Sequence, residues 1–262
     1  MNRFNKIFNE KRKIFVPYFT LGDPNLDDNL NIIKSAVESG ADALELGFPF
    51  SDPIADGPTH QKSMERSLQS GVDFKKCVNQ IHKIREKYPD IPISLLLYYN
   101  ILFRIGEESY RQLSDAKVDG IVCVDLPFEE SHQHRKLMDK YKLGKVQLIG
   151  PNTSLERAKF LFNESNAYTY VISDYGTTGA KKSLSQFTLE RISELKQVSD
   201  QPMIVGFGLS TPEQVAEVLS QGADGAIVGS YLTQKIEKYH DQPMKAQQEI
   251  SSFIQDTKKL IN

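Results

Sequence analysis

Eight short apolar or β-branched runs, apolar residues at helical spacing between them, and a recurring three-residue turn pattern predict an α/β chain folded as a (β/α)8 TIM barrel with extra helices. The runs are residues 15–20, 43–47, 93–98, 120–124, 146–149, 168–173, 203–207 and 225–228. Between them lie sets such as Leu30, Ile33 and Val37, or Val215, Val218 and Leu219, three to four residues apart as on one face of a helix. Strict alternation of strand and helix implies parallel strands joined by crossover helices, and eight such units can close so that no strand edge is left exposed. The 262 residues suit one barrel domain over 1–262, since the architecture needs roughly 250.

The turn pattern is Gly40-Ala41-Asp42, Lys117-Val118-Asp119 and Gly222-Ala223-Asp224, each just before a predicted strand. Glycine closes a helix in the left-handed conformation, and the aspartate can fix the turn that follows. Ser210-Thr211-Pro212-Glu213 marks a helix start, with Ser210 or Thr211 as the cap and Pro212 in the first turn. Residues 244–260 read as one further helix outside the barrel. The competing architecture is a doubly wound open sheet, but no GxGxxG opens the first unit.

Composition sets the remaining bounds. A chain with 39% apolar residues, 25% charged residues and a formal net charge of -2 is globular and lacks the basic field of a general nucleic-acid binder. Cys77 and Cys123 are far apart and form no CxxC pair, so neither a disulfide framework nor a zinc site is expected. The charged N-terminus, with Pro17 stopping the first apolar run, does not form a signal-peptide core. The apolar stretch 95–103 is interrupted by Asn100 and falls well short of the roughly 20 residues of a membrane span. The cytoplasm is the expected compartment.

In the second predicted strand, period two puts Leu44 and Leu46 on one face and Ala43, Glu45 and Gly47 on the other. With the leucines against helices, Glu45 points into the barrel near the carboxyl end of its strand, where barrel enzymes hold their chemistry. A carboxylate there is either paired in a structural salt bridge or has a raised pKa suited to acid-base work. The loop that follows, 48–59, combines Pro49, Pro53 and Pro58 with large apolar residues. Such a stiff loop suits the presentation of Asp52 or Asp56 over a ligand, and a rigid surface loop with solvated acids has the same composition. Gly176 to Gly179, Gly206 to Gly208, and Gly229-Ser230 follow the last three strands. Barrels bind phosphate with loops of this kind and a helix N-terminus. Tyr98, Tyr99, Tyr168 and Tyr170 either line an aromatic pocket or pack in the core. His132 and His134 are too close in sequence to share a helical face as metal ligands and read as surface residues, and Lys181-Lys182 as solvated.

Residues 44–58, Leu-Glu-Leu-Gly-Phe-Pro-Phe-Ser-Asp-Pro-Ile-Ala-Asp-Gly-Pro, and residues 16–24, Val-Pro-Tyr-Phe-Thr-Leu-Gly-Asp-Pro, closely resemble the alpha subunit of tryptophan synthase, and the likeness runs through nearly the whole chain. The resemblance implies a lyase that reversibly cleaves indole-3-glycerol phosphate to indole and glyceraldehyde 3-phosphate, with no metal or cofactor of its own. It implies Glu45 as the acid-base group and Asp56 as the carboxylate at the indole nitrogen. Tyr170 would lie against the substrate, Tyr18, Leu96 and Tyr98 around the indole, and Thr178, Gly179, Gly208, Gly229 and Ser230 at the phosphate. It further implies a beta subunit carrying pyridoxal phosphate, in an αββα assembly, with Asp52 and Pro53 in the loop that couples the two. The sixth loop departs from the family's usual Gly-Val-Thr-Gly, reading Ser173-Asp174-Tyr175-Gly176-Thr177-Thr178-Gly179. Two rival readings are another phosphate-binding barrel, for which a Schiff-base aldolase lysine is missing because Lys145 opens a strand, and a barrel that only regulates a partner.

Overall fold

The computed structural model describes residues 2–10, 13–172, 184–206 and 208–261. Eight parallel strands, β1 (Ile14–Thr20), β2 (Leu44–Gly47), β3 (Ile93–Leu97), β4 (Gly120–Cys123), β5 (Gly144–Ile149), β6 (Tyr168–Ile172), β7 (Met203–Gly206) and β8 (Gly225–Val228), pair in sequence order, and β8 returns to β1 to close the barrel. All eight coincide with the predicted runs to within two residues at either end. The helices are α1 (Arg3–Asn9), α2 (Leu26–Glu38), α3 (Pro58–Gln69), α4 (Phe74–Lys87), α5 (Tyr99–Ile105), α6 (Glu107–Asp115), α7 (His132–Lys140), α8 (Leu155–Glu164), α9 (Gln186–Val198), α10 (Pro212–Ser220), α11 (Ser230–Lys238) and α12 (Pro243–Ile261). Thr211 caps α10 in a reciprocal capping box with Gln214, and Pro212 occupies its first turn. The extra helix α12 packs across α2, α10 and α11.

Two apolar layers follow from the period-two strands. Leu44 and Leu46 join the large cluster between the sheet and the helices, while Val16, Tyr18, Ala43, Val146, Tyr170, Ile204 and Ile227 fill the lumen. The amino-terminal end of the lumen is closed by α1, an element the sequence reading did not anticipate. Its Phe4 and Ile7 are buried in the lumen cluster, and the Phe4 ring lies 4.9 Å from that of Tyr168. The apolar residues Phe4, Ile7 and Phe8 stand at helical spacing, so the signal was present in a segment that looked merely charged.

The recurring aspartates do more than shape their own turns. Asp42 accepts the Phe15 N–H at 2.8 Å and returns its own N–H to the Phe15 carbonyl at 3.0 Å. Asp119 does the same for Ile93 (2.9 and 2.8 Å), and Asp224 for Met203 (3.0 and 2.9 Å). Each side chain thereby occupies a backbone donor at the start of the preceding strand, where the sheet ladder offers no partner. A fourth copy uses an amide: Asn166 accepts the Lys145 N–H at 2.6 Å and donates to its carbonyl at 3.1 Å. Four ties at alternate strand pairs pin the end of the barrel opposite the loops predicted to carry chemistry. Gly40 and Gly222 take φ of +107° and +115° as the turn requires, and Lys117 takes the same role at φ +57°.

Candidate active site

Glu45 is held by register. It lies between Tyr18 of β1 and Ser94 of β3, and its side chain is 1% exposed. Its Oε1 is buried without a hydrogen-bond partner. Burial raises the Glu45 pKa to about 8, the Tyr168 hydroxyl pulls in the other direction, and the charge of Asp56 adds to the rise. The Tyr168 hydroxyl donates to Ser94 Oγ at 3.0 Å, so a short polar chain runs beneath Glu45. At neutral pH Glu45 is an acid with a proton to give.

Asp56 reaches the same region from the loop after β2. Asp52 and Ile54 face outward, Ile54 being 81% exposed, while Asp56 turns in and is buried. Tyr98 fixes it: the Tyr98 hydroxyl donates to Asp56 Oδ2 at 2.6 Å and accepts the Ala55 N–H at 3.0 Å. Gln61 secures the Asp56 carbonyl at 2.8 Å, and Phe50 stacks on the Tyr98 ring, with centroids 4.9 Å apart. Burial raises the Asp56 pKa, and the Tyr98 hydrogen bond restrains the rise. The two acids therefore occupy different settings, one keeping a buried oxygen without a partner and its pKa near 8, the other fixed by the Tyr98 hydroxyl.

Tyr18 of β1 and Tyr170 of β6 both enter the lumen, and each hydroxyl occupies the space a glycine leaves. A Cβ at Gly47 would meet the Tyr18 Oη at 2.0 Å, and one at Gly206 would meet the Tyr170 Oη at 2.2 Å. Leu96 lies half-buried against the lumen cluster with Leu148 and Ile172, neither of which the sequence reading had singled out. Gly208 takes φ +78° just after β7. Gly229 caps α11 and Ser230 is its first residue, with no acidic side chain in that first turn. Thr178, Gly179, Asp174, Tyr175 and the Lys181-Lys182 pair lie outside the described residues.

One expectation shifts. His134 is buried rather than a surface residue, and its Nδ1 lies 2.7 Å from the Tyr110 hydroxyl, whereas His132 is exposed. Lys145 sits, as expected, at the start of β5, where it pairs with Asp139 at 2.8 Å, away from the carboxyl end of the strands. Asp125, which accepts the Tyr99 N–H at 2.7 Å and so anchors α5, was missed, as was His60. His60 had no motif to flag it. Ser94 was legible as an inward polar residue two before Leu96. Cys77 and Cys123 are free, and no group of three or more His, Cys, Asp or Glu residues is placed to hold a metal ion among the described residues. Among those residues no helix is long and apolar enough to cross a membrane.

Known proteins resemble this chain over its length. A family profile described as tryptophan synthase alpha chain matches residues 4–262. The tryptophan synthase alpha chain of Methanothermobacter thermautotrophicus is 42% identical over 83% of this chain and 81% of its own, and that of Escherichia coli is 37% identical over 98% of each. Among solved structures, the alpha chain from Legionella pneumophila superposes with a TM-score of 0.88 at 31% identity, covering 100% of this chain and 97% of that one. The tryptophan synthase complex from Pyrococcus furiosus contains a chain with a TM-score of 0.86 at 30% identity, covering 95% and 99%.

Proposed function

The chain belongs to the tryptophan synthase alpha chain family, and on that premise we propose that Glu45 and Asp56 divide the chemistry of its reaction. That reaction is the reversible cleavage of indole-3-glycerol phosphate to indole and glyceraldehyde 3-phosphate, and the chain is an enzyme subunit of the lyase. The carbon-carbon bond next to the ring breaks only after indole C3 is protonated, which places a positive charge on the ring. Glu45 gives that proton. As the carboxylate it then takes the hydroxyl proton from the glycerol carbon bonded to the ring. The O–H pair becomes the aldehyde C=O, and the bond to C3 breaks with its electrons returning to the ring. Asp56 accepts the ring N–H and stabilises the charge while it exists.

The observation that carries this division is the contrast between the carboxyls: Glu45 keeps one oxygen without a partner and has its pKa near 8, and Asp56 is oriented by Tyr98. Tyr18, Leu96, Tyr98 and Tyr170 form the indole end. Gly208, Gly229 and Ser230, with Thr178 and Gly179, form the phosphate end, where the amide donors of α11 favour an anion. The whole chain acts as one barrel domain, without a cofactor, in the cytoplasm. A beta subunit holding pyridoxal phosphate receives the indole in an αββα assembly, and Asp52 and Pro53, beside the exposed Ile54, face it.

Indole release from indole-3-glycerol phosphate, with and without a beta subunit, tests the reading in wild type, Glu45→Gln and Asp56→Asn. Loss of the acid-base group is expected to lower kcat by at least about a hundredfold. Near-wild-type turnover of Glu45→Gln would sink the mechanism. A wild-type chain without turnover that still stimulates the beta subunit would point to a regulatory barrel instead.

A further inference from the structure

His60 stands on the first turn of α3, 5% exposed, wedged between the lumen and the start of α11. Its ring meets Tyr18 edge-on, with centroids 4.7 Å apart at 80°. Its Cε1 and Nε2 lie 3.1 and 3.2 Å from where a Gly229 Cβ would stand, so the ring covers the cap of α11. Nε2 is 3.2 Å from Ser230 Oγ, and Nδ1 is buried without a partner. Neither the family's reaction nor the two carboxylates explains a buried imidazole at this place.

We propose that His60 is a positioning residue for the phosphate end of the substrate: its Nε2–H donates to Ser230 Oγ, which turns the Ser230 hydroxyl hydrogen toward a phosphate oxygen. This inference rests on the assignment of Ser230 to the phosphate. Chemistry selects the tautomer. Burial lowers the His60 pKa to about 4, so the ring is neutral near pH 7, with one N–H and one lone pair. A proton on Nδ1 would leave a buried N–H with no acceptor, and Ser230 would spend its own hydrogen on Nε2. A proton on Nε2 leaves only a lone pair unused and frees the serine hydrogen for an anion. The first turn of α11 has no acidic side chain to compete for its donors. Because substrate and aldehyde product carry the same phosphate, such a grip acts on ground state and transition state alike, and its loss appears in KM rather than kcat.

The test compares His60→Leu, His60→Gln, Ser230→Ala and the Leu/Ala double variant, reading KM for indole-3-glycerol phosphate and the inhibition constant of inorganic phosphate. His60→Leu and Ser230→Ala are each expected to raise both constants about tenfold, as for one hydrogen bond to a charged group. The double variant should be little worse than either single one, because both remove the same interaction. Gln can place an amide N–H where Nε2–H stood, and should recover most of the loss; a purely packing role would not be rescued this way. If Ser230→Ala weakens phosphate while His60→Leu does not, or if the two losses multiply, the positioning role is overturned and the phosphate seat stands. If Ser230→Ala changes neither constant, the phosphate assignment falls and the inference with it.

Discussion

At the amino-terminal end of the barrel Asp119 is buried and fully occupied, whereas at the carboxyl end Glu45 is as deeply buried and keeps an oxygen without a partner. Asp119 Oδ1 accepts from Arg3, and Oδ2 accepts from Arg85 Nη2 at 3.0 Å and from the Ile93 N–H at 2.9 Å. Arg85 in turn donates to the carbonyls of Tyr88, Pro89, Ile91 and Lys117, with only its Nε unpartnered. Two acids of similar burial thus serve opposite ends. Where the surroundings supply donors, a carboxylate becomes a joint between strands and the N-terminal helix. Where they withhold them, it keeps a proton that can be transferred.

Stability against pH should separate the two ends most strongly. The folded-state pKa of Glu45, about 8, lies above its unfolded value of 4.5, so between these values the folded chain holds a proton that the unfolded chain has released. Its contribution to stability is full below the lower value and is lost as pH rises through the upper one. Urea unfolding of wild type should therefore weaken from pH 5 to 8 more steeply than that of Glu45→Gln, by up to about 1.4 kcal/mol per pH unit. Parallel curves for the two proteins would show that Glu45 is not held protonated.

The occupied end predicts a smaller loss. Arg85→Met removes one of two cations from the buried Asp119 and should cost about 2 kcal/mol, less than a buried charge left wholly unpaired because Arg3 remains. Chemical denaturation measures it, and turnover of the folded fraction should be retained. An unchanged midpoint would mean that the network is not a joint. Back at the carboxyl end, Tyr98→Phe takes the phenol hydroxyl from Asp56 and from the Ala55 N–H. The Asp56 pKa should rise further, turnover should fall about tenfold, and the acid limb of the pH profile should move upward. A profile that keeps its shape would leave Asp56 without need of Tyr98.

The strands, their inward faces and the direction of Glu45 were legible because period two and strict alternation are local properties of the chain. The inward turn of Asp56 was not, since it depends on a phenol 42 residues away in sequence. His60 was equally hidden: its neighbours Tyr18 and Ser230 come from β1 and the start of α11, and no spacing rule joins three such positions. The N-terminal plug was readable but short, and a run of charges masked its three apolar residues. Contacts made by barrel closure, rather than by neighbours in the chain, account for most of what was missed.

The turn repeat shows the same limit at a finer scale. Three copies were visible because they end in aspartate, and the fourth escaped notice because Asn166 stands in the same place. Function at that position needs an oxygen acceptor for the Lys145 N–H, and the amide supplies one at 2.6 Å. The charge is secondary, since the neutral amide of the exposed Asn166 makes the tie by itself, whereas Asp42 adds an ion pair with Lys258. Asn166→Ala should accordingly cost about 1 kcal/mol, the net worth of one hydrogen bond, while Asn166→Asp keeps the acceptor and should fall within about 0.5 kcal/mol of wild type. Denaturant midpoints for the two variants decide it. If Asn166→Asp loses as much as Asn166→Ala, the repeat depends on something other than acceptor geometry, and the four ties cannot be one structural device.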